Sequence, residues 1–169
     1  LNLIQSQLNR RRPGQSSIST PRDESDKLEI ISGMENDYTL GTMITALVKN
    51  KNTKPEDYKW KKEYVHRPSH ADFTYISKYG IHASSGGGRS SARETIGRVI
   101  AGAAAEQWLK DNYNIEIVAW VDSVGEINTN YYNTNIKRED VDKNIIRCPD
   151  QEKAKLMIEY ISKLKAEGN

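Results

Sequence analysis

The chain has 169 residues, 36% of them apolar and 28% charged, with a formal net charge of +2 at pH 7. That length suits one ordinary domain with a real core, and a mean hydropathy of -0.77 is polar for a globular protein without reaching the disordered class. A single cysteine, Cys148, excludes an intrachain disulfide and any multi-cysteine metal site, no run approaches a membrane span, and there is no charged-then-apolar leader, so a reducing, cytoplasmic compartment is expected.

Residues 1–26 read as a short helical or extended lead-in, followed by Arg10-Arg11-Arg12-Pro13-Gly14-Gln15 and a Ser/Thr/Pro-rich loop. The first 22 residues carry Arg10, Arg11, Arg12 and Arg22 and no carboxylate before Asp23. Lys27 to Ser32 and Thr39 to Lys49 are β-friendly around a turn region with Gly33, Asn36 and Asp37, which predicts an antiparallel hairpin. Residues 50–66 look like an exposed connection anchored by Tyr58, Trp60 and Tyr64.

His70 to Tyr79 has helical spacing in Phe73, Ile76 and Tyr79 and is stopped by Gly80. From Ser90 to about Leu109, Ala92, Ile96, Val99, Ile100, Ala103, Ala104 and Trp108 recur at helical intervals, and Gly97, Gly102 and the alanines suit close packing against a sheet. Asn114 to Val124 alternates two apolar sets, which predicts a strand covered on both sides. Residues 128–146 look like an insertion or mobile connection, and Pro149 opens a final helix with Ala154, Met157, Ile158, Ile161 and Leu164 on one face.

Three stretches carry chemistry. Ser84 to Thr95 is a glycine-rich turn feeding a helix start, where tight backbone, hydroxyls, unpaired N–H groups and the positive end of the macrodipole favour a phosphorylated guest. Arg89 and Arg93 lie one helical turn apart and add fixed charge, while the plain alternative is a loop and a Ser91–Glu94 capping box. The Arg10 to Arg12 run, broken by Pro13-Gly14, suits bidentate pairing with phosphate or carboxylate, against the plain alternative of a solvated basic turn or nucleic-acid patch. Arg67-Pro68-Ser69-His70-Ala71-Asp72 sets an imidazole suited to proton transfer beside a carboxylate that can orient or charge-balance it. His66 and His82 read as structural, and no metal-ligand spacing or nucleotide-hydrolase phosphate loop is present.

In this order, RRRPGQ, RPSHADFTY-x-x-KYG and SSGGGRSSARETIGRVIAGA resemble chorismate synthase, with weaker likeness through IEIVAWV and IRCPD. The resemblance implies an α/β (α+β) fold, a partial sandwich of antiparallel sheets with helices between them, assembled as a homotetramer. It implies an anti 1,4-elimination of phosphate from 5-enolpyruvylshikimate 3-phosphate to give chorismate, in the shikimate pathway and with reduced FMN. By the same resemblance His70 handles the proton, Arg11, Arg12, Arg67 and Arg93 bind substrate, and Arg89, Ser90 and Ser91 contact FMN. The wording of RPSHAD and ASSGGGRSSARE is similar to the fungal branch, some members of which reduce their flavin with NADPH. Arg11 would then also meet the dinucleotide, although Ser17 stands where members commonly have a basic residue.

The family's Gly-Glu-Ser-His segment with its second catalytic histidine, its Lys-Pro-x-x-Thr flavin loop and its Arg-His-Asp segment do not occur in the sequence. Residues 1–169 are therefore expected to be one partial domain, inactive or severely impaired alone, with no nucleic-acid or membrane partner. The competing reading is a noncatalytic module for RNA or an anionic partner, using Arg10 to Arg12, the Lys-rich 49–62 and exposed aromatics.

Overall fold

The computed structural model describes residues 1–51, 66–81, 88, 91–130 and 135–168. Within them the architecture is a mixed α+β arrangement of helices and two-stranded antiparallel sheets. The chain forms two compact units, Leu1–Pro13 with Arg22–Trp108, and Gly14–Pro21 with Leu109–Asn169.

In the first unit, α1 (Asn2–Arg11) ends as Pro13 approaches and buries Leu8 completely. Arg10 and Arg11 thus lie in a last helical turn, where cations suit the negative end of the dipole. The hairpin forms as β1 (Leu28–Ser32) pairs with β4 (Thr45–Val48), in register Leu28↔Val48 and Ile30↔Ala46, with an irregularity between Ile30 and Ser32. A smaller ribbon, β2 (Met34–Glu35) with β3 (Tyr38–Thr39), is inserted at its tip. Asn36 and Asp37 both take positive φ, the backbone that a two-residue hairpin turn requires. Gly33 (φ +85°) cannot be replaced cheaply, because a Cβ there would fall 2.5 Å from the Met43 carbonyl oxygen.

The helix α2 (Asp72–Tyr79) stops at Gly80, whose left-handed backbone lets its N–H donate to the Ile76 carbonyl. Its apolar face stays largely open, with Phe73 62% exposed and its ring in a T-shaped contact with the His66 ring, centroids 5.5 Å apart. A single 3₁₀ turn (Ala92–Glu94) leads into α3 (Thr95–Tyr113). The expected inner face of α3 is only half filled: Ile96 and Ala103 are buried, whereas Ala104 and Trp108 are exposed. Nothing lies within 4 Å of a Cβ built at Gly97 or Gly102, so the close packing expected of the small residues is not made by the described residues. Tyr58, Trp60 and Tyr64 lie outside the described residues.

The second unit corrects two expectations. Residues 115–122 are not a doubly covered strand: Ile115 and Ile117 are exposed, and regular pairing begins only with β5 (Ser123–Val124) against β6 (Ile127–Asn128). Apolar alternation favours a strand, but a ladder needs a neighbour for each N–H and C=O, and here Val121 N–H donates to Arg147 while Arg138 donates to the Ile117 carbonyl. The described part of 128–146 is more than a loose connection, since α4 (Arg138–Val141) buries Val141 completely and Ile146 joins the core. The Asn144 amide secures this segment by donating to the Cys148 carbonyl and accepting the Cys148 N–H.

The last helix, α5 (Gln151–Glu167), follows the sequence reading closely. Asp150 caps it by accepting the N–H groups of Glu152 and Lys153, and Ala154 and Met157 are buried against Ile146 and Cys148. Ile18, Val121, Val124, Ile127, Ile158 and Ile161 surround that core. Replacing the fully buried Met157 by Ala should cost about 2 to 5 kcal/mol, read as a lowered urea midpoint for this unit, and no change would contradict the packing. Burial pushes the Cys148 thiol above its ordinary pKa. The unfolded thiol then loses its proton first as pH rises, so this contribution to stability is complete below the ordinary thiol range and declines through it. Alkylation at neutral pH should be slow in the folded chain and fast in denaturant, as measured by mass.

Candidate functional site: guanidinium groups around two buried carboxylates

Between α1 and β1 the chain runs Arg22-Asp23-Glu24-Ser25-Asp26, and two of its acids are turned inward. Glu24 is 1% exposed and Asp26 is fully buried. A carboxylate removed from water needs charge and hydrogen-bond partners, and three arginines from separate parts of the sequence supply them.

Asp26 receives one guanidinium on each oxygen: Arg93 Nη2 at 2.8 Å on Oδ1 and Arg11 Nη1 at 3.3 Å on Oδ2. Glu24 Oε1 accepts from Arg22 Nη2 at 2.8 Å, its Oε2 accepts the Lys51 N–H at 3.0 Å, and Arg93 Nη2 stands 3.7 Å from that same Oε2. Arg93 also reaches the Lys49 carbonyl, and Arg22 reaches Asn50, so the acids grip the chain just beyond β4. Gln5 from α1 brackets Asp26 by donating to its carbonyl and accepting the Leu28 N–H. That bracket holds Asp26 at φ +42°, a backbone that Asp tolerates better than most residues.

Arg11 extends from α1 to the helix start, where Nη2 donates to the Ala92 carbonyl at 3.3 Å and Nε and Nη2 both meet Thr95 Oγ1. Ser91 caps the 3₁₀ turn by accepting the Arg93 N–H at 3.2 Å, and the Ser91 N–H donates to the carbonyl of Gly88, which has φ +52°. Ser91 therefore caps the turn, but on the Arg93 N–H and not on the Glu94 N–H of the expected box, which the Ser91 carbonyl accepts instead. The Ser91 hydroxyl oxygen accepts within the turn, and a hydroxyl that accepts can also donate its own proton. Arg89, Ser90 and His82 lie outside the described residues.

His70 belongs to a second cluster. Arg67 holds Asp72 with Nε on Oδ2 at 2.8 Å, Nη2 on Oδ1 at 2.9 Å, and its own backbone N–H on Oδ2 at 3.2 Å. Both oxygens of Asp72 are thus held by Arg67, so the expected orienting of His70 by Asp72 gives way to a clamp that closes the 67–72 loop. Ser69 takes φ +60° within it. The exposed His70 ring is oriented instead by the Pro68 carbonyl, 2.9 Å from Nδ1. A carbonyl only accepts, so Nδ1 carries hydrogen and the lone pair of the neutral ring lies on Nε2.

The structure thus brings Arg11, Ser91 and Arg93 together and keeps Arg67 beside His70. Arg12 is the C-cap residue of α1. Glu24 and Asp26 are the functional-site residues that sequence reasoning missed, although i, i+2 spacing with Arg22 in a nonhelical stretch was a signal for a shared face. Among the described residues no group of three or more His, Cys, Asp or Glu is arranged to hold a metal, and no helix is long and apolar enough to cross a membrane.

The whole chain is similar to curated chorismate synthases. That of Prochlorococcus marinus strain AS9601 is 55% identical over 169 residues, all of this chain and 46% of the relative. The protein of strain MIT 9301 is also 55% identical and that of strain NATL2A 52%, each again matched over 100% of this chain and 46% of its own length. The chain therefore spans about half the length of these relatives. With the family pattern described as chorismate synthase matching residues 1–169, the chain belongs to the chorismate synthase family.

Proposed function

We propose that this chain contributes part of the phosphate-binding and proton-handling machinery for chorismate formation: anti 1,4-elimination of phosphate from 5-enolpyruvylshikimate 3-phosphate in aromatic amino acid biosynthesis. The observation that carries the reading is the preorganised trio of Arg11, reaching over from α1, with Ser91 and Arg93 of the turn before α3, in a chain matched along its whole length by the family.

The donor set suits phosphate. Guanidinium groups already fixed by carboxylates need little reorganisation to meet growing negative charge on a leaving group, and the Ser91 hydroxyl adds a proton donor. Arg93 and Arg11 act mainly through this fixed field, because most of the Arg11 donors are already engaged with Asp26, Ala92 and Thr95. Arg12 and Arg67 are the further substrate-binding cations of the reading. Ser91, with Arg89 and Ser90, would hold the phosphate of FMN, and reduced flavin supplies the electron-rich partner of an elimination with no net redox change. His70 Nε2 is the proposed proton carrier, its ring turned by the Pro68 carbonyl. The sandwich architecture, the tetramer, the cytoplasmic location, the fungal-type likeness and an NADPH contact at Arg11 belong to this same proposal.

The RNA or anionic-partner reading loses weight on one observation. Arg11 of the Arg10–Arg12 run meets the buried Asp26 and Lys49 pairs with Glu29, so part of the basic character that this reading counts is neutralised locally.

Titrating the chain with FMN should give a saturable change with amide shifts at Gly88 and Ser91. Steep, salt-sensitive RNA binding with no flavin response would overturn the reading. In an anaerobic coupled assay the chain alone should form little or no chorismate, because it carries only part of the site; turnover near that of the relatives would contradict the partial-site account. Where a complete family enzyme carries these residues, replacing the counterpart of His70 by Ala should lower kcat by about a hundredfold or more, the usual scale for losing a general acid or base.

A further inference from the structure

We propose that Asp26 is a positioning residue: its buried carboxylate joins Arg11 and Arg93 side by side at the 3₁₀ turn capped by Ser91 so that both face an incoming phosphate group. The inference rests on the reading that this turn receives the phosphate of flavin or substrate.

The geometry carries more than a surface ion pair would. Asp26 is fully buried, gives one oxygen to each guanidinium, and lies 15 residues from Arg11 and 67 from Arg93. Two like charges would separate if the shared anion were removed, since each repels the other in a partly dry environment. The Arg93 and Arg11 side chains are only 15% and 21% exposed, so neither charge is freely solvated. Asp26 cancels one of the two charges it joins and leaves the other in excess, which suits a dianionic guest better than a neutral pair would. A buried ion pair adds little net stability over a well-packed apolar alternative, so stability alone does not explain carboxylates at both Glu24 and Asp26. Their joint effect is to fix where three guanidinium groups stand.

The test uses the chain with inorganic phosphate and FMN as separate probes, following the guanidinium Nη–H signals of Arg11 and Arg93, the groups that meet Asp26, and the amides of Gly88 and Ser91 by nitrogen-edited NMR. In the parent chain the Nη–H signals of both arginines should be slow to exchange and should shift with phosphate. Asp26→Asn should release both signals and weaken phosphate binding by about tenfold or more, the scale of a lost hydrogen bond to a charged group, while Asp26→Glu restores part of the affinity. Should Asp26→Asn fail to fold, Thr95→Val removes a partner of Arg11 alone and should loosen the Arg11 signal while leaving Arg93 protected. Unchanged phosphate affinity in folded Asp26→Asn, or equal loosening of both signals in Thr95→Val, would overturn the positioning role. If FMN shifts Gly88 and Ser91 equally well in parent and Asp26→Asn, positioning fails and the flavin reading stands. If neither probe moves those amides in the parent chain, both fail.

Discussion

Everything at the candidate site depends on two carboxylates that have left water. A buried ionised acid without partners is costly enough to unfold a small domain, so Glu24 and Asp26 dictate where cations must stand. Arg11 arrives from the last turn of α1, Arg22 from the lead-in to β1, and Arg93 from the turn before α3. The same contacts reach Lys49, Asn50 and Lys51 just past β4. One electrostatic requirement therefore draws together parts of the chain that apolar packing secures only lightly, since Leu8, Ile96 and Ala103 are the buried hydrophobic residues of this unit among those described.

That requirement also changes what the basic residues mean. In the sequence, Arg11 and Arg93 read as ligands for an outside anion. In the structure they already have an inside anion, and under the proposed function what they would offer a substrate is a field of fixed direction. Preorganised charge is useful in phosphate elimination because no solvent or side chain has to rearrange as the leaving group gains charge. A comparable division of labour holds at the second cluster, where Arg67 clamps Asp72 and the Pro68 carbonyl turns the imidazole.

Local chemistry was legible from the sequence. Asn36-Asp37 and Gly33 announced the hairpin, Gly80 the end of α2, Ser91 a cap, and the spacing of Ala154 and Met157 the buried side of α5. The misses share a cause, which is dependence on distant partners. Residues 115–122 have the side-chain alternation of a strand, but alternation does not supply a neighbouring ladder, and Ile115 and Ile117 remain open. The small residues of α3 permit close approach without requiring it, and Gly97 and Gly102 face open space among the described residues. Glu24 and Asp26 do not stand out in the sequence, because their partners include Arg93, far along the chain. The family strings around His70 and the glycine-rich turn identified the lineage sooner than any periodicity did, and the match over residues 1–169 agrees.

The most direct measurement is a double-mutant cycle on the contact between Arg93 and Asp26, with Arg93→Met, Asp26→Asn and their combination compared by urea unfolding. If the buried carboxylate and its guanidinium are energetically one unit, the combined variant loses less stability than the two single losses added together, by about 1 to 3 kcal/mol. Strict additivity, with each single change costing little, would mean that the two groups merely lie near each other and that the site is organised by something else.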